Sequence, residues 1–155
     1  MPNFEIVNLD TARWLDDIDR VMKSAYTVEA EILGVKSFPP LTREKADIQE
    51  CGNLFVGYCN DDELCGVAEI EVSQPDLSMS EATIASLAVA PSHFRQGIAR
   101  ALVQAIVEMA YRPILVTTGT LNQPAIDLYL KLGFKETDQF TTPDGVAMVG
   151  FEFNR

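Results

Sequence analysis

Residues 84–107, IASLAVAPSHFRQGIARALVQAIV, constrain the fold more than any other stretch. Leu87, Ala88 and Val89 close a run with almost no polar side chain, and Pro91, which cannot donate to a strand ladder, punctuates it. A strand therefore ends near Ala90. From Gly97 onward, Ile98, Leu102, Ile106 and Met109 recur at near-helical spacing, and Ala99, Ala101, Val103, Ala105 and Val107 widen the apolar face. That pattern predicts a helix buried against a sheet. The free N–H groups of its first turn, with those of Arg95, Gln96 and Gly97, converge at the positive end of the helix dipole, where an anion fits. Gly97 has no Cβ and lets a phosphate approach the backbone closely, and the small Ala99 leaves room. The same residues also suit a plain strand–loop–helix connection in which Gly97 and Arg95 serve only the turn and solvent. No Lys-Ser/Thr pair follows the glycine and the three-glycine dinucleotide fingerprint is missing, which sets aside both nucleotide loops.

A chain of 155 residues, 47% apolar, is long enough to close one core, and residues 1–155 read as a single domain. No run approaches the roughly 18 uninterrupted apolar residues of a membrane span, and the N-terminus lacks the basic-then-apolar pattern of a signal peptide. A cytoplasmic enzyme is the expectation. Cys51, Cys59 and Cys65 are odd in number and form no C-x-x-C pair, which argues against a disulfide framework and a zinc site, so no metal is expected. With 23 acidic and 12 basic residues the net charge is −11. A field of that sign opposes nucleic acid and anionic membranes and attracts cations such as amines, although solubility alone also accounts for it.

In chain order, residues 4–8 predict a first strand, and Asp10 or Thr11 caps a helix whose apolar face is Trp14, Leu15, Ile18, Val21, Met22 and Ala25. That helix reads as core packing rather than as part of a site. Residues 26–41 look irregular: 29–33 allow one or two helical turns, Gly34 interrupts them, and Pro39-Pro40 implies extended chain. Exposed Tyr26, Phe38 and Leu41 there form either the wall of a cleft or a cover for the sheet. A short helix follows Thr42. Residues 53–59 and 64–72 form a hairpin around 60–63, residues 74–80 a polar loop containing Pro75, and residues 83–89 the strand described above. Glu69 and Glu71 share one face of their strand, as solvated carboxylates or, beside a cleft, as a proton acceptor. Residues 114–118 make another strand. A helix capped near Asn122, with Pro124 in its first turn and Gly133 after it, turns Ala125, Leu128, Tyr129 and Leu132 to one face. Two strands, 134–140 and 147–153, surround a Pro and Asp-Gly turn.

The run L-A-V-x-P-x-x-x-R-Q-G-I-A-x-x-L resembles the acetyl-coenzyme-A signature of the GNAT N-acetyltransferase superfamily, Q/R-x-x-G-x-G/A, here Phe94, Arg95, Gln96, Gly97, Ile98 and Ala99. Phe94 departs from the usual Gln or Arg. Asn122, Ala125, Ile126, Leu128, Tyr129, Lys131, Leu132, Gly133 and Phe134 are similar to the second block of the same superfamily, at the expected separation. The resemblance implies an α/β fold with a mixed central sheet of about seven strands flanked by about four helices. It also implies acetyl-CoA as donor, giving coenzyme A. Its pyrophosphate would sit on the loop from Arg95 to Arg100, and its arm against Leu87, Ala88 and Val89, between splayed fourth and fifth strands, with Asn122 and Ala125.

In the family the tyrosine hydroxyl lies near the thioester sulfur, which makes Tyr129 the implied general acid. Tyr26 and Phe38 would line the acceptor site. The fourth-strand glutamate that family members often use as base falls on Ala85, leaving Glu69, Glu71 and Glu81 as replacements and His93 as a loop residue. Of these, Glu69 is the carboxylate assigned to the substrate side. The activity implied is transfer of acetyl to a primary amine of a small metabolite or a protein, without nucleic acid or membrane, and compatible with a homodimer. The alternative is a non-catalytic acyl-CoA-binding or regulatory module.

Overall fold

Strand and helix periodicities in the chain resolve into an alternation that wraps one sheet. The computed structural model describes residues 4–35, 38–74 and 80–155. In order these form β1 (Phe4–Asn8), α1 (Thr11–Leu33), α2 (Pro39–Thr42), α3 (Lys45–Glu50), β2 (Leu54–Asn60), β3 (Glu63–Val72) and β4 (Ala82–Val89), then α4 (Ile98–Val107), β5 (Ile114–Gly119), α5 (Gln123–Lys131), β6 (Lys135–Thr141) and β7 (Ala147–Phe153). The seven strands lie in the order β1-β2-β3-β4-β5-β7-β6. All neighbours are antiparallel except β4 and β5. The mixed α/β sheet with flanking helices is thus the architecture expected. Most of the loop expected over 74–80 lies outside the described residues.

Two apolar clusters sandwich the sheet. On one face Ile98, Leu102, Val103 and Ile106 of α4 and Tyr129 of α5 pack on β-strand residues such as Ile70, Ile84 and Phe151. On the other, Ile18, Val21, Met22 and Tyr26 of α1 and Ile48 of α3 pack on Phe55, Leu64 and Val67. Fully buried aliphatic side chains of this kind each contribute about 1.5–3 kcal/mol.

Two local expectations fail in instructive ways. α1 does not stop after residue 25 but runs unbroken to Leu33, from an Asp10 cap whose carboxylate accepts from Ala12 N–H to Gly34, left-handed at φ 68°. Burial of Tyr26 and Ala30 on the same face as Ile18 and Met22 carries the helix past the β-branched Thr27 and Val28. Pro39-Pro40, expected to be extended, occupies the start of the helical turn α2. Proline is tolerated in a first helical turn because its missing N–H would have no partner there.

The seam between β4 and β5 is short. Ala82 pairs with Ile114, Thr83 with Leu115 and Ile84 with Val116, and there the parallel pairing ends. On its other edge β4 pairs Ile84 with Ile70 and then Ser86 with Glu69, so Ala85 is the extra residue of a bulge. Beyond this point β4 stays with β3 and β5 stays with β7, and the sheet opens into a V.

Candidate functional site

The V holds two cavities. The larger, about 520 Å³, lies under the loop that precedes α4, and Leu87, Ala88, Val89, Arg95, Gly97, Ile98, Ala99 and Arg100 are on its wall. Arg95 and Gly97 are both left-handed, at φ 63° and 77°. Backbone of that kind turns consecutive N–H groups to one side. A Cβ built on Gly97 would meet nothing within 4 Å, so what requires glycine here is the backbone angle, with the surface left open. The first intrahelical bond of α4 runs from Ala101 N–H to Gly97 C=O, so the N–H groups of Ile98, Ala99 and Arg100 precede the ladder, and no side chain caps them. Positive potential and free donors fit a pyrophosphate. Phe94, half-exposed, also lines this cavity, whereas Gln96 does not.

The second cavity, about 420 Å³, lies on the opposite side of the opening, and Tyr26, Phe38, Ala85, Ser86, Tyr129 and Asp144 are on its wall. Tyr26 was expected to be exposed; it is buried, edge-on to Phe38 at 6.0 Å between ring centres. Its Oη accepts the Leu87 N–H at 3.2 Å. Burial, opposed in part by hydrogen bonding with Ser86, pushes its pKa up to about 12. Tyr129 comes from the inward face of α5, a helix fixed by Asn122 Oδ1 accepting from Ala125 N–H. It packs against Phe134 and Phe151. Burial raises its pKa too, helped by the nearby Tyr26 and Glu29, so the hydroxyl keeps its proton at neutral pH.

Glu29, Leu87, Asn122 and Ala125 line both cavities. Glu29 is the one ionisable side chain among them. Burial raises its pKa, and a hydrogen bond from Asn122 opposes the rise. This residue was missed because α1 was expected to end before it. Read as continuous helix, a carboxylate three residues after Tyr26 stands on the same inward face, and that was the available signal.

The structure does not bring Glu69 to either cavity. Its carboxylate is enclosed, taking the Arg43 guanidinium as a fork at 2.6 and 2.8 Å, Asn53 Nδ2 at 2.7 Å and Ser86 Oγ at 2.8 Å. Burial alone would raise its pKa, but these donors and the Arg43 charge outweigh that and hold it below the usual carboxylate value. Glu71 and Glu81 are exposed and line neither cavity. His93 lines the larger cavity, with Nδ1 3.0 Å from Ser92 Oγ.

Residues 15–134 match the family described as acetyltransferase (GNAT) family. The chain is 34% identical over 137 residues to UPF0157 protein YqkA of Bacillus subtilis, an alignment covering 87% of this chain and 38% of that protein. In structure it is similar to the ribosomal-protein-S18-alanine N-acetyltransferase of Escherichia coli, with TM-score 0.75 and 21% identity over 98% of this chain and 94% of the other. Similar too is yncA of Salmonella typhimurium with its cofactor acetyl-CoA, with TM-score 0.71 and 16% identity over 98% and 94% of the two chains. No helix among the described residues is long and apolar enough to cross a membrane.

Proposed function

Since the chain belongs to the GNAT acetyltransferase family, we propose that it transfers acetyl from acetyl-CoA to a primary amine, of a small metabolite or a protein, within a single domain spanning residues 1–155. The observation that carries this reading is the meeting of two cavities in the opened β4–β5 seam. One has the donors for a pyrophosphate, and the other has carboxylates and aromatic rings that suit a cationic amine.

Acetyl-CoA supplies an acetyl group already activated as a thioester. The residues that would hold it are the N–H groups of Ile98, Ala99 and Arg100, with Arg95, Gln96 and Gly97, at the pyrophosphate, and Leu87, Ala88, Val89, Asn122 and Ala125 along the arm. A backbone N–H of the 87–89 run would polarise the carbonyl. At Leu87 that donor already serves Tyr26 Oη, so Tyr26 would yield or share it. Tyr129, protonated at neutral pH, would hold a proton for the leaving sulfur. Tyr26 and Phe38 would form the wall against which the acceptor lies.

The first test is the melting temperature with and without acetyl-CoA. A ligand at about 100 times its dissociation constant adds roughly 2.7 kcal/mol, which for a domain of this size raises Tm by roughly 5–10 °C. That rise is expected with acetyl-CoA and not with adenosine. No shift at millimolar acetyl-CoA would overturn the donor reading.

A further inference from the structure

We propose that Glu29 is the proton acceptor of the reaction, and that its carboxylate selects a cationic amine bearing no carboxylate of its own near the nitrogen. The inference rests on the acetyl-transfer reading above and adds to it the base and the acceptor's chemistry. Its ground is position. Glu29 belongs to the walls of both cavities, so its side chain stands where donor and acceptor must meet. The other residues common to the two walls, Leu87, Asn122 and Ala125, cannot take a proton at neutral pH.

Four further observations agree. The position from which a fourth-strand carboxylate would serve is Ala85, which lines the acceptor cavity but has no titratable group. Glu69 is consumed by Arg43, Asn53 and Ser86. Among the described residues the acceptor cavity is lined by Glu29 and Asp144 with no Lys or Arg, so an ammonium finds partners there and a carboxylate does not. Partial desolvation raises the basicity of Glu29, while Asn122 keeps the charged form accessible.

The atoms balance. An alkylammonium has a pKa near 10 and carries no lone pair. Glu29 takes one of its protons and passes it to solvent. The freed lone pair forms the bond to the acyl carbon, the C–S bond breaks with its pair on sulfur, Tyr129 gives its hydroxyl proton to that thiolate, and the second nitrogen proton restores the Tyr129 hydroxyl. The groups facing Glu29 in this step are Tyr26 on its own helix, Tyr129 on α5, Asp144 of the β6–β7 turn, and His93, Arg95 and Arg100 across the donor cavity.

The experiment measures thiol release from acetyl-CoA with phenethylamine, putrescine, an amidated peptide with a free amino terminus, and phenylalanine. The parent and Glu29→Gln are compared across pH 6–10, with Glu29→Asp as a second variant. Glutamine keeps the volume and a hydrogen-bonding group for Asn122, so the acetyl-CoA Tm shift stays as in the parent. The expected result is a fall in kcat of about 10²-fold at pH 7 for Glu29→Gln. The deficit shrinks as pH approaches the amine's own pKa, which a merely structural role would not produce, and Glu29→Asp recovers part of the rate. Phenylalanine is expected at least tenfold below phenethylamine in kcat/KM. Equal turnover by parent and Glu29→Gln, or a deficit unchanged across pH, would overturn the base assignment and leave acetyl transfer standing. Phenylalanine matching phenethylamine would overturn the selection. No thiol release by the parent with any amine would remove the transfer reading, and Glu29's role with it.

Discussion

Arg43→Met is expected to lower the melting temperature by about 6–20 °C. Removing one partner of a buried ion pair leaves the other charged and uncompensated, at a cost of about 3–5 kcal/mol, and each kcal/mol is worth roughly 2–4 °C in a domain this size. Glu69 is only 1% exposed and Arg43 25%, so the pair belongs to the interior rather than to the surface, where such bridges contribute little. Arg43 joins the segment after α2 to β3, and through Glu69 and Ser86 to β4 just past the bulge. The double variant Arg43→Met/Glu69→Gln is expected to recover part of the loss, because it removes the stranded charge.

Acid acts in the same direction on the parent. Glu69 titrates below its unfolded value, so its contribution is fully present above about pH 4–5 and is lost as pH falls through the lowered folded value. In Arg43→Met the stranded carboxylate has lost its cationic partner, so acidification is expected to relieve it and bring the two proteins together. Thermal melts of both from pH 7 to pH 3 check this; an Arg43→Met melt within about 2 °C of the parent at pH 7 would show that the fork carries no stability.

Tyr129→Phe is expected to lower kcat by about 10²-fold while leaving the acetyl-CoA melting shift and the apo melting temperature close to those of the parent. The ring is packed against Phe134 and Phe151, and phenylalanine preserves that packing. The hydroxyl makes no hydrogen bond among the described residues, so its removal strands no partner. On the proposed reading the variant would lose the proton held for the leaving sulfur, an effect of the size usual for a single general acid. Equal turnover in the variant would take Tyr129 out of the chemistry and leave it a core aromatic.

The parts legible in the sequence are those whose causes are local. Asn122, Pro124 and Gly133 bracket α5 because caps and first-turn prolines act within a few residues, and the apolar stripe of α4 shows in its spacing alone. β7 matches its expected span because alternation and the preceding turn set it. What stayed hidden depends on partners far along the chain. Glu69 shows no sign of Arg43, 26 residues earlier, or of Asn53 and Ser86, so its exposure could not be read. Tyr26 and Glu29 sit in a stretch of mixed propensity that becomes helix because the sheet beneath it rewards burial, a tertiary effect on local preference. The bulge at Ala85 exists only as a mismatch between two strands.

The short seam between β4 and β5 has a mechanical consequence. The four strands on one side and the three on the other are joined edge to edge only along Ala82–Ile84 and Ile114–Val116. The sheet is nearly two sheets. On the proposed reading, a donor seated in the opening would be a fastener as well as a reactant, and each turnover that emptied it would remove a tie between the halves of the protein.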